Sequence, residues 1–232
     1  MNLSNVDLVG VGLYSVPEAA RLSGVSTGRI RRWLKGYVYH HADEDRVSPA
    51  VWEPQLPILE GTVGLSFLDL MEVRFVDAFL QAGVSWRTIR LAAQRAREIL
   101  DLDHPFSTRR FQTDGHSIFA EVLRESGEHQ LLDLAKNQYA FRRVISPSLY
   151  SGMDFDLMDR AARWWPMGKG RGVVVDPSRQ FGQPIVSEGS IPTAVLADAV
   201  KAEGSVGAAA RWYDVPEIMI RDAVAFERQL AA

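Results

Sequence analysis

The sequence contains no cysteine. That absence excludes disulfides, thiolate zinc sites and cysteine nucleophiles together, and it is consistent with a cytosolic protein. Long apolar runs are missing as well. No stretch approaches the roughly 20 apolar residues that span a bilayer, and Met1-Asn2-Leu3-Ser4 lacks the basic start and apolar run of a secretory signal. The chain is therefore expected to be cytoplasmic, with no membrane partner. A strong net charge is absent too: 26 Lys and Arg face 29 Asp and Glu, a formal −3. There is no Ser-His-Asp set and no carboxylate pair at a meaningful spacing, which argues against an enzyme and against a cofactor. At 232 residues the chain has room for two small domains, or one with an added segment.

What is present is an internal repeat. Shifted by 190 positions, Ser15-Val16-Pro17-Glu18-Ala19-Ala20-Arg21 lies over Ser205-Val206-Gly207-Ala208-Ala209-Ala210-Arg211, and eight of twenty positions from 15 to 34 are identical. The shared residues suit a helix-turn-helix. Small Ala19-Ala20 and Ala209-Ala210 let a second helix cross closely, and Val25 and Val215 plug the turn. Gly24 and Asp214 both suit a left-handed turn residue.

The copies differ in charge. The first recognition-type helix, from Ser26 to Lys35, carries Arg29, Arg31, Arg32 and Lys35 with no acid. In the second, from Pro216 to Arg228, Glu217, Asp222 and Glu227 stand against Arg221 and Arg228. A groove-reading helix brings cations to closely spaced phosphates, so the first copy is expected to read DNA and the second to do something else.

Around the first copy, Ser15, Pro17 and Glu18 form a capping-box start, and Ile30, Trp33 and Leu34 form the inward face of the basic helix. Tyr37 to His41 and Val47 to Trp52 read as a β-wing around the acidic tip Asp43-Glu44-Asp45. From Ser66 a helix with the stripe Leu68, Met71, Phe75 and Phe79 runs to a break at Ala82-Gly83-Val84-Ser85. The helix after it buries Ile89, Ala92, Ala93, Ala96 and Leu100. Its Arg87, Arg90, Arg95 and Arg97 read equally as phosphate contacts or as a solvated face.

Residues 102–166 are the least legible. Arg109 to Ala120 reads as a hairpin across Asp114-Gly115, Gln138 to Val144 as a strand, and Leu157 to Trp165 as a short helix. Beyond them, Val173-Val174-Val175-Asp176-Pro177 is a strand closed by proline. Ser190 and Pro192 open a helix with the stripe Ile191, Val195, Leu196, Ala199 and Val200. The second repeat copy then completes a trihelical unit, with Met219, Ala223, Phe226 and Leu230 along its last helix.

Some signals resemble chemistry. Gly168-Lys169-Gly170-Arg171-Gly172 lacks the Walker spacing and reads as a hinge. His40-His41 on a strand point to opposite faces, so they cannot easily share a metal with Asp43, Glu44 and Asp45. Asp154, Asp156 and Asp159 read as helix-start acids or Mg²⁺ ligands. Trp164-Trp165 reads as core or partner packing, or as an aromatic effector pocket.

Over roughly residues 12–101, the order helix, turn, basic helix, wing and two helices resembles the MerR-like winged-helix DNA-binding domain. The likeness is carried by Val16-Pro17-Glu18-Ala19-Ala20, Val25-Ser26, Ile30-Arg31-Arg32-Trp33 and Leu65-Ser66-Phe67-Leu68-Asp69-Leu70. Near the other end, Asp176-Pro177, Gly182-Gln183-Pro184 and Gly189-Ser190-Ile191-Pro192 resemble the small C-terminal domain of VapB-like antitoxins, with Gln183 for the usual Lys and Ser190 for the usual Arg. Together the resemblances imply an α+β fold, mainly α with small β-hairpins. They imply a winged helix-turn-helix domain at 1–104, a connecting segment with hairpin at 105–166 and a trihelical domain at 167–232. They imply an antitoxin that represses its own operon and neutralises a PIN-fold RNase toxin, acting as a homodimer through the helices at 66–81 and 86–101. The rival reading is a stand-alone MerR-like regulator with a small effector. DNA contacts are expected from Ser26, Thr27, Arg29, Arg31, Arg32, Lys35 and Arg46, and partner contacts from Met219, Phe226 and Leu230.

Overall fold

In a computed structural model of the protein, residues 10–41, 44–57, 63–125 and 149–231 are described. They form two compact units, one drawn from residues 14–150 and 155–161, the other from the residues before 14, 151–154 and 162–232. The architecture is α+β, with helices and small antiparallel sheets.

In the first unit, β1 (Tyr14–Ser15) leads into α1 (Val16–Ser23). Ser15 Oγ accepts the Glu18 N–H, and the Glu18 carboxylate accepts the Ser15 N–H at 2.7 Å, so the expected capping box is formed. Gly24 ends the helix at φ 73° and passes the chain to α2 (Thr27–Lys35). A wing of β2 (Tyr37–His41) and β3 (Glu44–Ser48) follows, then β4 (Gly64–Leu65), which pairs antiparallel with β1. The wing's second strand thus begins earlier than the pattern suggested. Glu44 and Asp45 lie in β3 opposite His41 and His40, and Asp43 is outside the described residues. Val51 and Trp52, expected in that strand, turn into the core because the Val51 N–H bonds the Trp33 carbonyl and the Trp52 indole bonds Asp69.

The unit is built around α3 (Phe67–Gln81), capped by Ser66 with a second box through Asp69. Leu70, Met71, Val73, Phe75, Val76 and Phe79 are all fully buried, so α3 is buried around most of its circumference rather than along one stripe, with Leu68, Arg74, Ala78 and Leu80 half-buried. Ser85 caps α4 (Trp86–Leu100), whose Ile89, Ala92, Ala93, Ala96 and Leu100 are buried as expected.

The hairpin expected over residues 109–120 is instead helix α5 (Arg109–Glu125). Phe111, Ile118, Phe119 and Val122 recur at helical spacing and are buried, so the stripe overrides the local Asp114-Gly115 turn signal. Phe79, Phe106, Phe111 and Phe119 interlock with ring centroids 4.9–6.5 Å apart. The strand expected at 138–144 lies outside the described residues.

The helix expected over 157–165 is also absent. β5 (Met153–Phe155) and β6 (Ala161–Trp164) flank a turn held by Asp156, whose Oδ1 accepts the N–H groups of Met158 and Arg160 at 2.9 Å. With β7 (Val173–Val175) and β8 (Pro184–Val186) they make a sheet ordered β5-β6-β7-β8. Three helices follow: α6 (Thr193–Glu203), α7 (Val206–Tyr213) and α8 (Glu217–Leu230). Pro192, rather than Ser190, occupies the N-cap of α6, and Ser190 instead accepts a bond from Arg179. Val186, Leu196, Ala209, Val215, Ile220 and Ala223 form the core of this unit. No helix among the described residues is long and apolar enough to cross a membrane.

Candidate nucleic-acid interface

The two repeat copies adopt the same local geometry. Ser15 and Ser205 each accept the N–H three residues on, and Gly24 (φ 73°) and Asp214 (φ 53°) are both left-handed. Val25 and Val215 are buried at the turns, and Ile30 and Ile220 at the second helices. The second helix of the first copy, α2, is capped by Ser26, whose Oγ accepts the Arg29 N–H at 3.4 Å. Ile30, Trp33 and Leu34 face inward; Gly28, Arg31, Arg32 and Lys35 are exposed on the opposite side, and Thr27 is half-buried.

The cations of α2 do different work. Arg32 lies over the Tyr37 ring at 5.9 Å and donates to the Gly28 carbonyl, so its guanidinium leans toward the wing. Arg29 departs from the solvent-facing expectation. It pairs with Asp77 of α3 at 2.8 Å and covers the Trp33 ring at 4.9 Å, which makes it a tether of the helix. On the wing, Arg46 stands opposite Tyr39 and 3.9 Å from Glu44, while Asp45 bonds His40 Nδ1 at 3.0 Å. The acids are thus partly occupied by their own strand partners. Exposed Val38 and Val47 pair across the hairpin on its other face.

The α4 arginines divide as well. Arg97 donates to the Val51 carbonyl at 2.8 Å, Arg90 reaches Ser48 Oγ at 3.5 Å, and Arg95 pairs with Glu98 and Glu121. Arg87 is exposed. Two of the four therefore brace the segment leaving the wing.

Beneath the interface lies a buried polar cluster that the sequence did not announce. Asp69 Oδ1 accepts the Trp52 indole N–H and pairs with His104 Nε2, both at 2.8 Å; Oδ2 accepts the N–H groups of Ser66 and Gln55. Burial alone would raise the Asp69 carboxyl, but the His104 bond and charge outweigh it and hold it below the usual range. Burial would lower His104, and Asp69 reverses that. Glu72, fully buried and accepting the Ser107 N–H at 2.9 Å, is pushed up to about 7 by desolvation, offset in part by His104.

In the second unit Phe226, expected at the partner contact, is packed in the core at 3 % exposure, and Met219 and Leu230 are half-buried. Met219 Sδ stands where a side chain at Gly172 would begin. Asp222, an apparent surface acid, is buried and accepts both the Gly172 N–H and the Arg171 guanidinium. Exposed apolar residues of this unit include Trp212 (75 %) and Ile218 (52 %) on its last two helices, and Phe181 and Val195 outside them. In repeat register Trp212 matches Leu22, which is 9 % exposed.

Among the described residues no group of three His, Asp or Glu is placed to hold a metal. Asp154, Asp156 and Asp159 are paired with Lys169 and Arg163, with Arg160, and with Arg109. Trp164 is buried and the Trp165 indole donates to Asp154.

No protein-family model matches the chain. It is similar to a Mycobacterium tuberculosis protein named "Putative antitoxin VapB45", at 26 % identity over 223 residues that cover 92 % of this chain and 93 % of that one. Its fold is that of the crystal structure of Rv2018 from Mycobacterium tuberculosis. The TM-score is 0.69 at 21 % identity, covering 95 % and 98 % of the two chains.

Proposed function

We propose that this chain is the antitoxin of a type II toxin–antitoxin module. The observation that carries the reading is the end-to-end similarity to a protein bearing an antitoxin name, which spans both units rather than one shared domain. The order α1, turn, α2, wing, α3 and α4 supports a MerR-like reader, in which Arg31, Arg32 and Lys35 of α2 and Arg46 of the wing meet operator phosphates and bases. The VapB-like segment of the second unit supports a PIN-fold RNase as the partner. Two-fold operators favour a homodimer in the cytoplasm. With α3 largely buried, the exposed side of α4 around Ile99 is its better dimer face.

The second unit is the partner-binding part in this reading. Its α8 is nearly neutral, since Glu217 pairs with Arg221 and Asp222 with Arg171, so it gains little from phosphate neutralisation. Trp212 and Ile218 take the place of Phe226 as the apolar contacts. The test is co-expression with the product of the adjacent gene. Stable co-purification with loss of that product's RNase activity is expected; an RNase that stays active in the presence of this chain overturns the assignment.

A further inference from the structure

Between the inner face of the wing and α4 lies a cleft of about 540 Å³, within the size range of small-ligand sites. Tyr37, Tyr39 and Trp86 supply aromatic walls, and Arg87, Arg90 and Arg97 supply the charge. No Asp or Glu lines it. The first turn of α4, with its outward-facing backbone N–H groups, opens beside it at Trp86 and Arg87. The Trp86 indole N–H is buried and has no hydrogen-bond partner among the described residues.

We infer that this cleft binds a small planar aromatic anion, of the class of nucleoside monophosphates and aryl carboxylates. The guanidinium of Arg87 takes the anionic group, Arg90 lies within reach of it, and the tyrosine faces take the ring. The site also touches the reader helix. Trp86 stacks on Trp33 of α2 at 5.8 Å, and Tyr37 carries the Arg32 guanidinium. An occupant therefore changes the surroundings of α2, and its affinity and that of DNA are linked reciprocally. The binding itself stands apart from the antitoxin reading, because its test requires neither toxin nor operator; only its linkage to DNA rests on that reading.

The full chain is titrated by calorimetry with adenosine 5′-monophosphate, with salicylate and with inorganic phosphate. Saturable binding of at least one aromatic anion is expected, weakened about tenfold or more by Arg87→Ala, with inorganic phosphate binding far more weakly. Arg87 is exposed and Tyr39 is 42 % exposed, so Tyr39→Ala serves as an independent second variant, with circular dichroism checking each fold. Preference for the nucleotide or for salicylate tells which kind of anionic group the cleft accepts. No binding of either aromatic anion at about 1 mM overturns the inference. So does equal affinity for inorganic phosphate, or binding unchanged in both variants.

Discussion

Arg29 and Asp77 form a 2.8 Å ion pair that fastens the basic helix to the enclosed helix beneath it. The carboxylate is 6 % exposed, while the guanidinium is about one-third exposed and rests on Trp33. Arg29 thus helps set the pose of α2, whose exposed cations are Arg31, Arg32 and Lys35. Removing it leaves a buried acid without its cation. Arg29→Ala is expected to cost about 2 kcal/mol in urea unfolding, with part of the loss regained in Arg29→Ala/Asp77→Asn. Strict additivity of the two substitutions would exclude the coupling.

Arg31→Ala and Arg32→Ala are expected to leave the fold intact, since both side chains project from the exposed face of α2. Each should weaken operator binding and flatten the log-affinity against log-salt plot by about one unit of slope. Anisotropy titrations across salt concentrations measure both quantities, and an unchanged slope would remove these residues from the phosphate contacts.

Gly36 joins the basic helix to the wing at φ 69°, and a Cβ there would stand 2.5 Å from the Ser48 carbonyl oxygen. Backbone cannot yield as a flexible side chain does. Gly36→Ala should destabilise the protein by about 2 kcal/mol or more. It should also raise amide hydrogen exchange in β2 and β3 before exchange in α3 changes.

Glu72 makes stability depend on pH near neutrality. Its folded value is about 7 against an ordinary 4.5, so between those values the folded state holds a proton that the unfolded state has lost. Stability from this group is therefore full below about 4.5 and falls as pH rises to about 7. His104, raised above 6.5, extends the decline to higher pH, whereas Asp69, lowered below 3.8, contributes fully above 3.8 and loses its contribution as pH falls below that. Glu72→Gln should gain on the order of 3 kcal/mol over the native protein at pH 8 and nothing at pH 4. Parallel pH–stability curves for the two proteins would rule out this origin.

Trp212→Ala should change thermal stability little, because the ring is largely exposed. On the proposed reading it weakens the partner complex by tenfold or more, about 1.4 kcal/mol, as loss of an aromatic anchor does. Surface plasmon resonance against the co-purified partner measures this directly.

The helix-turn-helix copies were legible because their determinants are local. Ser15 and Ser205 sit one residue before each helix, Gly24 and Asp214 sit at the left-handed turn, and Val25 and Val215 follow directly. The α5 helix was misread because Asp114-Gly115 is a short-range signal, while Phe111, Ile118 and Phe119 declare their helix only over several turns. Arg29 looked like its neighbours because nothing nearby in sequence marks Asp77 as its partner. The Asp69–His104 contact joins residues too far apart for spacing to reveal. Phe226 reads as a partner contact by residue type, and only the packing shows that it is a core aromatic while Trp212 is the exposed one.

The short pairing of β1 with β4 places Tyr14 against Leu65 and Ser15 against Gly64, so everything from α1 to the segment after the wing is a loop clasped at its base. Closing that loop costs chain entropy before any distant contact rewards it. Formation of this helix-turn-helix and wing should therefore be late and all-or-none, gated by the clasp rather than by the intrinsic speed of its short helices. A nascent chain still lacking Leu65 cannot close the clasp and would not yet display the finished surface of α2 and the wing.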